Sequence, residues 1–169
     1  PVVKAGILPG ICYGAPVYGL SLREVDWLHR AVVASEGVTQ SGISLDKAII
    51  TSDDATQRHV VSPLVYWHRE AWFTACQALH PRALPLSTLR SAWEIVSSAK
   101  PRSHGSVRGP TGASLILLDR IGWVWAGPFL LLRHDGSELH LLHTSPKYLE
   151  KQLVCRLNDM RMERHGRKR

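Results

Sequence analysis

Ser21-Leu22-Arg23-Glu24-Val25-Asp26-Trp27-Leu28-His29-Arg30-Ala31-Val32-Val33-Ala34-Ser35-Glu36-Gly37 is the stretch on which the fold turns. A helix start leaves four backbone N–H groups without partners. A Ser followed three residues later by Glu satisfies two of them reciprocally. Ser21 and Glu24 stand at that spacing. Val25, Leu28 and Val32 then recur on one helical face, and Gly37 supplies a stop. The reading is an amphipathic helix over about 22–36, whose apolar stripe must be buried against other elements.

Working outward, the same signals recur. Upstream, Val2–Leu8 reads as a short apolar helix interrupted by Pro9-Gly10. Downstream, residues 38–60 are polar and broken, with a short helix expected around Leu45–Ile50. Ser62-Pro63 then reads as a helix start, because proline suits a first turn where its missing N–H costs nothing. Leu64, Trp67, Ala71, Ala75 and Leu79 follow one face, and Pro81 ends the run. A further helix is expected from near Ser87 to before Pro101, with Leu89, Trp93 and Val96 inward. Pro101–Gly112 is rich in Pro, Gly and Ser and reads as a loop, followed by a helix over Ala113–Arg120 closed by Gly122.

The pattern changes at Phe129-Leu130-Leu131-Leu132-Arg133, Asp135-Gly136 and Glu138–Leu142. Asp-Gly between two apolar runs predicts a β-hairpin with a two-residue turn. That register pairs Arg133 with Glu138, Leu132 with Leu139 and Leu130 with Leu141, leaving one all-leucine face to pack on helices. Ser145-Pro146 repeats the cap-plus-proline device. A last helix follows with Leu149, Leu153, Leu157 and Met160 inward, and the tail Arg164–Arg169 is expected to be too basic to fold. The fold class is therefore mainly α: a helical bundle with one β-hairpin at about 129–142 and a C-terminal helix.

A chain of 169 residues can bury roughly 70% of its unfolded surface. It needs neither disulfides nor metal to fold. Cys12, Cys76 and Cys155 are odd in number and widely scattered, which fits buried thiols in a reducing, intracellular compartment and neither a disulfide framework nor a zinc site. The sequence opens at Pro1 inside an apolar stretch, and it reads as a segment of a longer polypeptide. It shows no secretory signal and no apolar run of the ~20 residues that a membrane span needs.

Charge is distributed unevenly. Residues 1–99 hold eight Lys/Arg against eight Asp/Glu, whereas residues 100–169 hold thirteen against six, so the whole +7 excess is C-terminal. Such an asymmetry favours a polyanionic partner. Lys100, Arg102, Arg108, Arg120, Arg161, Arg164, Arg167, Lys168 and Arg169 are the expected phosphate contacts; Arg133 ranks below them because Glu138 is placed to occupy it.

No catalytic set emerges. Asp53-Asp54 lacks the flanking strands of a polymerase metal site, and no apolar strand follows it. His140 and His143 point to opposite sides if that segment is a strand. The run Gly105–Gly112 lacks the Lys and spacing of a phosphate-binding loop, though it leads into a helix N-terminus. Trp27, Trp67, Trp72 and Trp93 fall in amphipathic helices and read as core. Trp123 and Trp125 share a face if extended, and read as packing or, alternatively, as a base-stacking pair. No cofactor and no metal are expected.

Lys4-Ala5-Gly6-Ile7-Leu8-Pro9 and Tyr13-Gly14-Ala15-Pro16-Val17-Tyr18-Gly19-Leu20 resemble the start of the thumb in reverse transcriptases of LINE-like (non-LTR) retrotransposons. Gly109-Pro110-Thr111-Gly112-Ala113, Arg120-Ile121-Gly122-Trp123-Val124-Trp125, Pro128-Phe129 and Ser145-Pro146 look like the region beyond the thumb in such elements. The resemblance implies a piece that follows the palm of an RNA-directed DNA polymerase and contains none of its catalytic residues. It implies a thumb-like helical region at 1–100. A second region, 101–169, then comprises a basic loop, short helix, hairpin and C-terminal helix with a basic tail. The implied partners are an RNA or DNA duplex, gripped through its phosphates, and the remainder of the polymerase polypeptide, with no membrane. A helical protein-interaction module and an inactive retroelement remnant stay open as alternatives.

Overall fold

The computed structural model describes residues 10, 12–35, 55–76, 84–99, 103–107 and 109–166. The helices expected at 2–8 and 45–50, the Asp53-Asp54 pair and the boundary expected at 100/101 lie outside the described residues. In chain order the elements are α1 (Ala15–Tyr18), α2 (Leu22–Ser35), α3 (Ala55–Cys76), α4 (Leu86–Ala99), a 3-10 turn (His104–Ser106), α5 (Gly109–Ile121), β1 (Val124–Gly127), β2 (Leu130–Leu132), β3 (Glu138–His140), a second 3-10 turn (Leu141–His143) and α6 (Pro146–Gly166). The chain is mainly α, with a small antiparallel sheet in the order β1-β2-β3.

Helix α2 starts as its sequence requires. The Ser21 N–H donates to Glu24 Oε2 at 2.7 Å and the Glu24 N–H donates to Ser21 Oγ at 3.3 Å. Val25, Leu28, His29, Val32 and Val33 face inward.

The central element is α3, which packs against α1, α5, α6 and the second 3-10 turn. Its Val60, Val61, Leu64, Val65, Trp67 and Ala71 are all buried, spread around the helix as expected of one enclosed on most sides. The expected start at Ser62-Pro63 is overturned: α3 begins at Ala55 and carries Pro63 inside it. Proline removes the N–H that would bond the carbonyl four residues back. That carbonyl belongs to His59, and the Ser62 hydroxyl donates to it at 2.7 Å. The serine that read as a cap thus compensates for the proline beside it. At Ser145-Pro146 the same dipeptide does cap a helix, with the Tyr148 N–H donating to Ser145 Oγ at 3.3 Å. Helix α6 continues to Gly166, so the first part of the supposedly unfolded tail is helical.

The hairpin differs from expectation in register. Leu130 pairs with His140, Leu131 with Leu139 and Leu132 with Glu138, a slip of one residue. The turn is a three-residue loop: the Gly136 N–H donates to the Arg133 carbonyl at 3.0 Å and the Arg133 N–H to the Ser137 carbonyl at 2.9 Å. Gly136 has φ +80°, the left-handed residue such loops require. The slip exchanges the faces of β2 relative to β3, so Leu131, in place of the expected Leu130 and Leu132, joins Leu139 and Leu141 in the core. Arg133 no longer opposes Glu138, which instead lies 3.3 Å from His140 Nε2.

The Trp123–Trp125 segment leads into a third strand. Trp125 meets the edge of Trp67 with ring centres 4.8 Å apart. Both Trp123 and Trp125 are buried, which removes the base-stacking alternative for that pair. One apolar cluster joins residues from both halves of the chain, including Leu28, Leu64, Leu118, Leu131 and Leu153. Among the described residues no helix is long and apolar enough to cross a membrane.

Candidate nucleic-acid interface

Two of the nine expected phosphate contacts have described side chains, Arg120 and Arg161. Lys100, Arg102, Arg108, Arg167, Lys168 and Arg169 lie outside the described residues, and Arg164 lies on α6 with its side chain outside them. Both described arginines come to α2. Arg120, in the last turn of α5, donates from Nη2 to the Leu20 carbonyl at 2.9 Å, immediately ahead of the Ser21 cap. Arg161 of α6 places Nη2 at 2.6 Å from Nε2 of His29, which is buried on the inner side of α2. Each is half-buried and braces the protein before it meets any ligand.

Arg156 behaves similarly, donating to the Ile121 carbonyl at the end of α5 (3.1 Å) and to Glu163 (2.9 Å). A cation satisfies an orphan carbonyl at a helix C-terminus in this way. Lys147 and Lys151, by contrast, lie exposed on α6.

The start of α2 is charged on both sides. Ser21 hydrogen bonds hold the Glu24 carboxyl below the usual carboxylate range, and nearby His104 acts in the same direction. Burial, and secondarily Arg120, push the His104 imidazole below its ordinary range, with Glu24 opposing. Gly19 makes this approach feasible: it has φ +72°, and a Cβ there would lie 3.3 Å from His104 Nε2.

On the opposite side of α2 the structure corrects a residue that sequence reasoning placed in the core. Trp27 is 56% exposed. At about 100° per residue, Arg23, Trp27 and Arg30 form one stripe along the solvent face, away from Val25, Leu28 and Val32. Arg23 and Arg30 are exposed, and among the described residues neither forms an ion pair, although Asp26 stands four residues before Arg30. The chain leading into α2 and the first residue of that helix add exposed Tyr13, Tyr18 and Leu22.

The chain matches no family model, and no curated protein or solved structure shows significant similarity to it.

Other chemistry is sparse. A cavity of about 710 Å3 lies between the end of α4 (Ser97, Ser98), the outer side of α5 (Leu115, Asp119) and Trp123–Trp125. Among the described residues Asp119 is the charged group in its lining. Among the described residues no group of three His, Cys, Asp or Glu is close enough to hold a metal. His140 and His143 have ring centres 6.3 Å apart and belong to β3 and the turn after it. Cys12 is buried, and burial raises its thiol pKa; Cys76 and Cys155 are exposed, contrary to the expectation of three buried thiols.

Proposed function

We propose that this chain is a non-catalytic segment that holds nucleic acid for a LINE-like retrotransposon reverse transcriptase, gripping the primer–template duplex through its phosphates. The observation that carries the reading is the charge split, a neutral 1–99 followed by a +7 region at 100–169. Lys and Arg that displace counterions from a duplex bind with little sequence preference and strong salt dependence. Arg120 and Arg161 are already engaged with Leu20 and His29, whereas Lys147 and Lys151 lie exposed on α6 as described C-terminal cations open to a phosphate. The motif resemblance supports the reading as well, with the remainder of the polymerase as the other partner.

The test is binding of a primer–template duplex over a salt series. For about five phosphate contacts the log–log slope is about −4.5, a loss of roughly 500-fold between 50 and 200 mM salt. Binding that does not change with salt refutes the proposal. A second reading, docking to protein, is favoured by the exposed Tyr13, Tyr18 and Leu22. It cannot use the hairpin leucines Leu131 and Leu139, which are in the core. It predicts association that survives replacement of the arginines beyond Met160.

A further inference from the structure

We infer that the solvent face of α2 is a binding platform for single-stranded nucleic acid, on which Trp27 stacks against an unpaired base while Arg23 and Arg30 contact the phosphates on either side. The inference rests on the nucleic-acid reading above but concerns a different surface, on the neutral part of the chain.

The geometry follows from the helix. Arg23 lies one turn before Trp27 and Arg30 one turn after it. The axial separations are about 6 Å and 4.5 Å at 1.5 Å per residue. An isolated exposed apolar residue is ordinary, but a large aromatic at the centre of a helix's outward stripe, bracketed by two cations, is a combined stacking and electrostatic surface. Two observations make the occupant a polyanion with exposed rings. Both guanidinium groups are exposed; Asp26, on the same outward face and within helical reach of both, pairs with neither among the described residues, and Glu24 is held by the Ser21 cap. Trp27 is 56% exposed and so offers ring surface to a partner. A duplex hides its base faces, so stacking selects an unpaired strand. Arg161 fixes the inner side of the same helix through His29, so the platform is braced from behind.

The experiment compares the full chain with Trp27→Ala, Trp27→Phe and Arg23→Ala/Arg30→Ala, using labelled oligo(dT) and a blunt DNA duplex of equal length. Loss of one stacked base is expected to weaken oligo(dT) binding by roughly ten-fold in Trp27→Ala, with duplex affinity and thermal midpoint unchanged. Trp27→Phe, which keeps a ring, retains most of the affinity. The double arginine variant lowers the single-strand salt slope by about 1.4, whereas Trp27→Ala leaves it unchanged. Unaltered oligo(dT) binding by Trp27→Ala, or equal losses for oligo(dT) and duplex, overturns the platform while leaving the duplex-holding proposal standing. If the unmodified chain binds neither probe, both fall.

Discussion

Acid should loosen this fold through one residue above all. His68 of α3 is fully buried, and its Nε2–H donates to the Leu141 carbonyl at 2.7 Å, tying the central helix to the turn after β3. Burial pushes the imidazole below its ordinary pKa, and the backbone contacts at Leu141 and Thr144 offset this only in part. Its Nδ1 has no hydrogen-bond partner, so a second proton would enter an enclosed site without an acceptor. The sign follows from linkage. The unfolded chain protonates His68 near pH 6.5 and the folded chain only at lower pH. Stability is therefore complete above about pH 6.5 and falls as the pH drops from there towards the folded pKa. One such group contributes a slope of at most about 1.4 kcal/mol per pH unit within that window. Burial shifts His59 and His104 in the same direction, so the slope of the unmodified protein includes their share. His68→Gln separates them, since a glutamine amide can supply a donor to Leu141 without titrating. Urea unfolding followed by circular dichroism at pH 7.5, 6.5 and 5.5 should show a shallower pH dependence in the variant. Identical slopes for the two proteins would refute the reasoning.

The remaining expectations concern the elements that departed from their sequence signals. Ser62→Ala should cost about 1–2 kcal/mol in urea unfolding, because it strands the His59 carbonyl beside Pro63, and Pro63→Ala in the same chain should recover part of the loss by restoring a backbone N–H. Leu139→Ala should cost about 2–5 kcal/mol and the half-buried Leu132→Ala clearly less; equal losses would contradict the observed register. Gly136→Ala should lower stability by about 1–2 kcal/mol through its φ of +80°, with Gly136→Asn milder.

What could be read in advance was local chemistry. The Ser21–Glu24 box, the proline start of α6 and the span of α4 each depend on groups a few residues apart, and each appears where expected. Ser62-Pro63 carries the same local signal as Ser145-Pro146, yet the surrounding chain decides between cap and interior kink. Val60 and Val61, apolar and immediately upstream, were the available hint that burial would extend the helix through the proline. The hairpin slip also had a local trace. Asp135 accepts from both the N–H and the hydroxyl of Ser137, at 2.9 and 2.6 Å, favouring the longer loop over the two-residue turn. Trp27 was misread because a tryptophan in an amphipathic helix was assigned inward by residue type. Its angular position, more than a right angle from Val25 and Val32, already opposed that.

The candidate site was less legible because charge counts cannot tell a working cation from a structural one. Arg120, Arg156 and Arg161 all belong to the C-terminal excess, and all three spend donors on Leu20, Ile121, Glu163 or His29. Arg23 and Arg30 belong to the part of the chain with no net charge, and no ion pair engages them among the described residues. Neutrality over 1–99 is thus a sum that holds within α2 as well, where Arg23 and Arg30 stand against Glu24, which is committed to the cap, and Asp26, which pairs with neither arginine among the described residues. A polyanion responds to the local field within about a Debye length, ~8–10 Å at physiological salt, and not to the total. On that scale Asp26 counts together with the two guanidinium groups, so the proposed platform depends on the Trp27 ring as much as on charge. Arg120 and Arg161, two of the arginines in the C-terminal excess, contact Leu20 and His29 and so hold this helix in place.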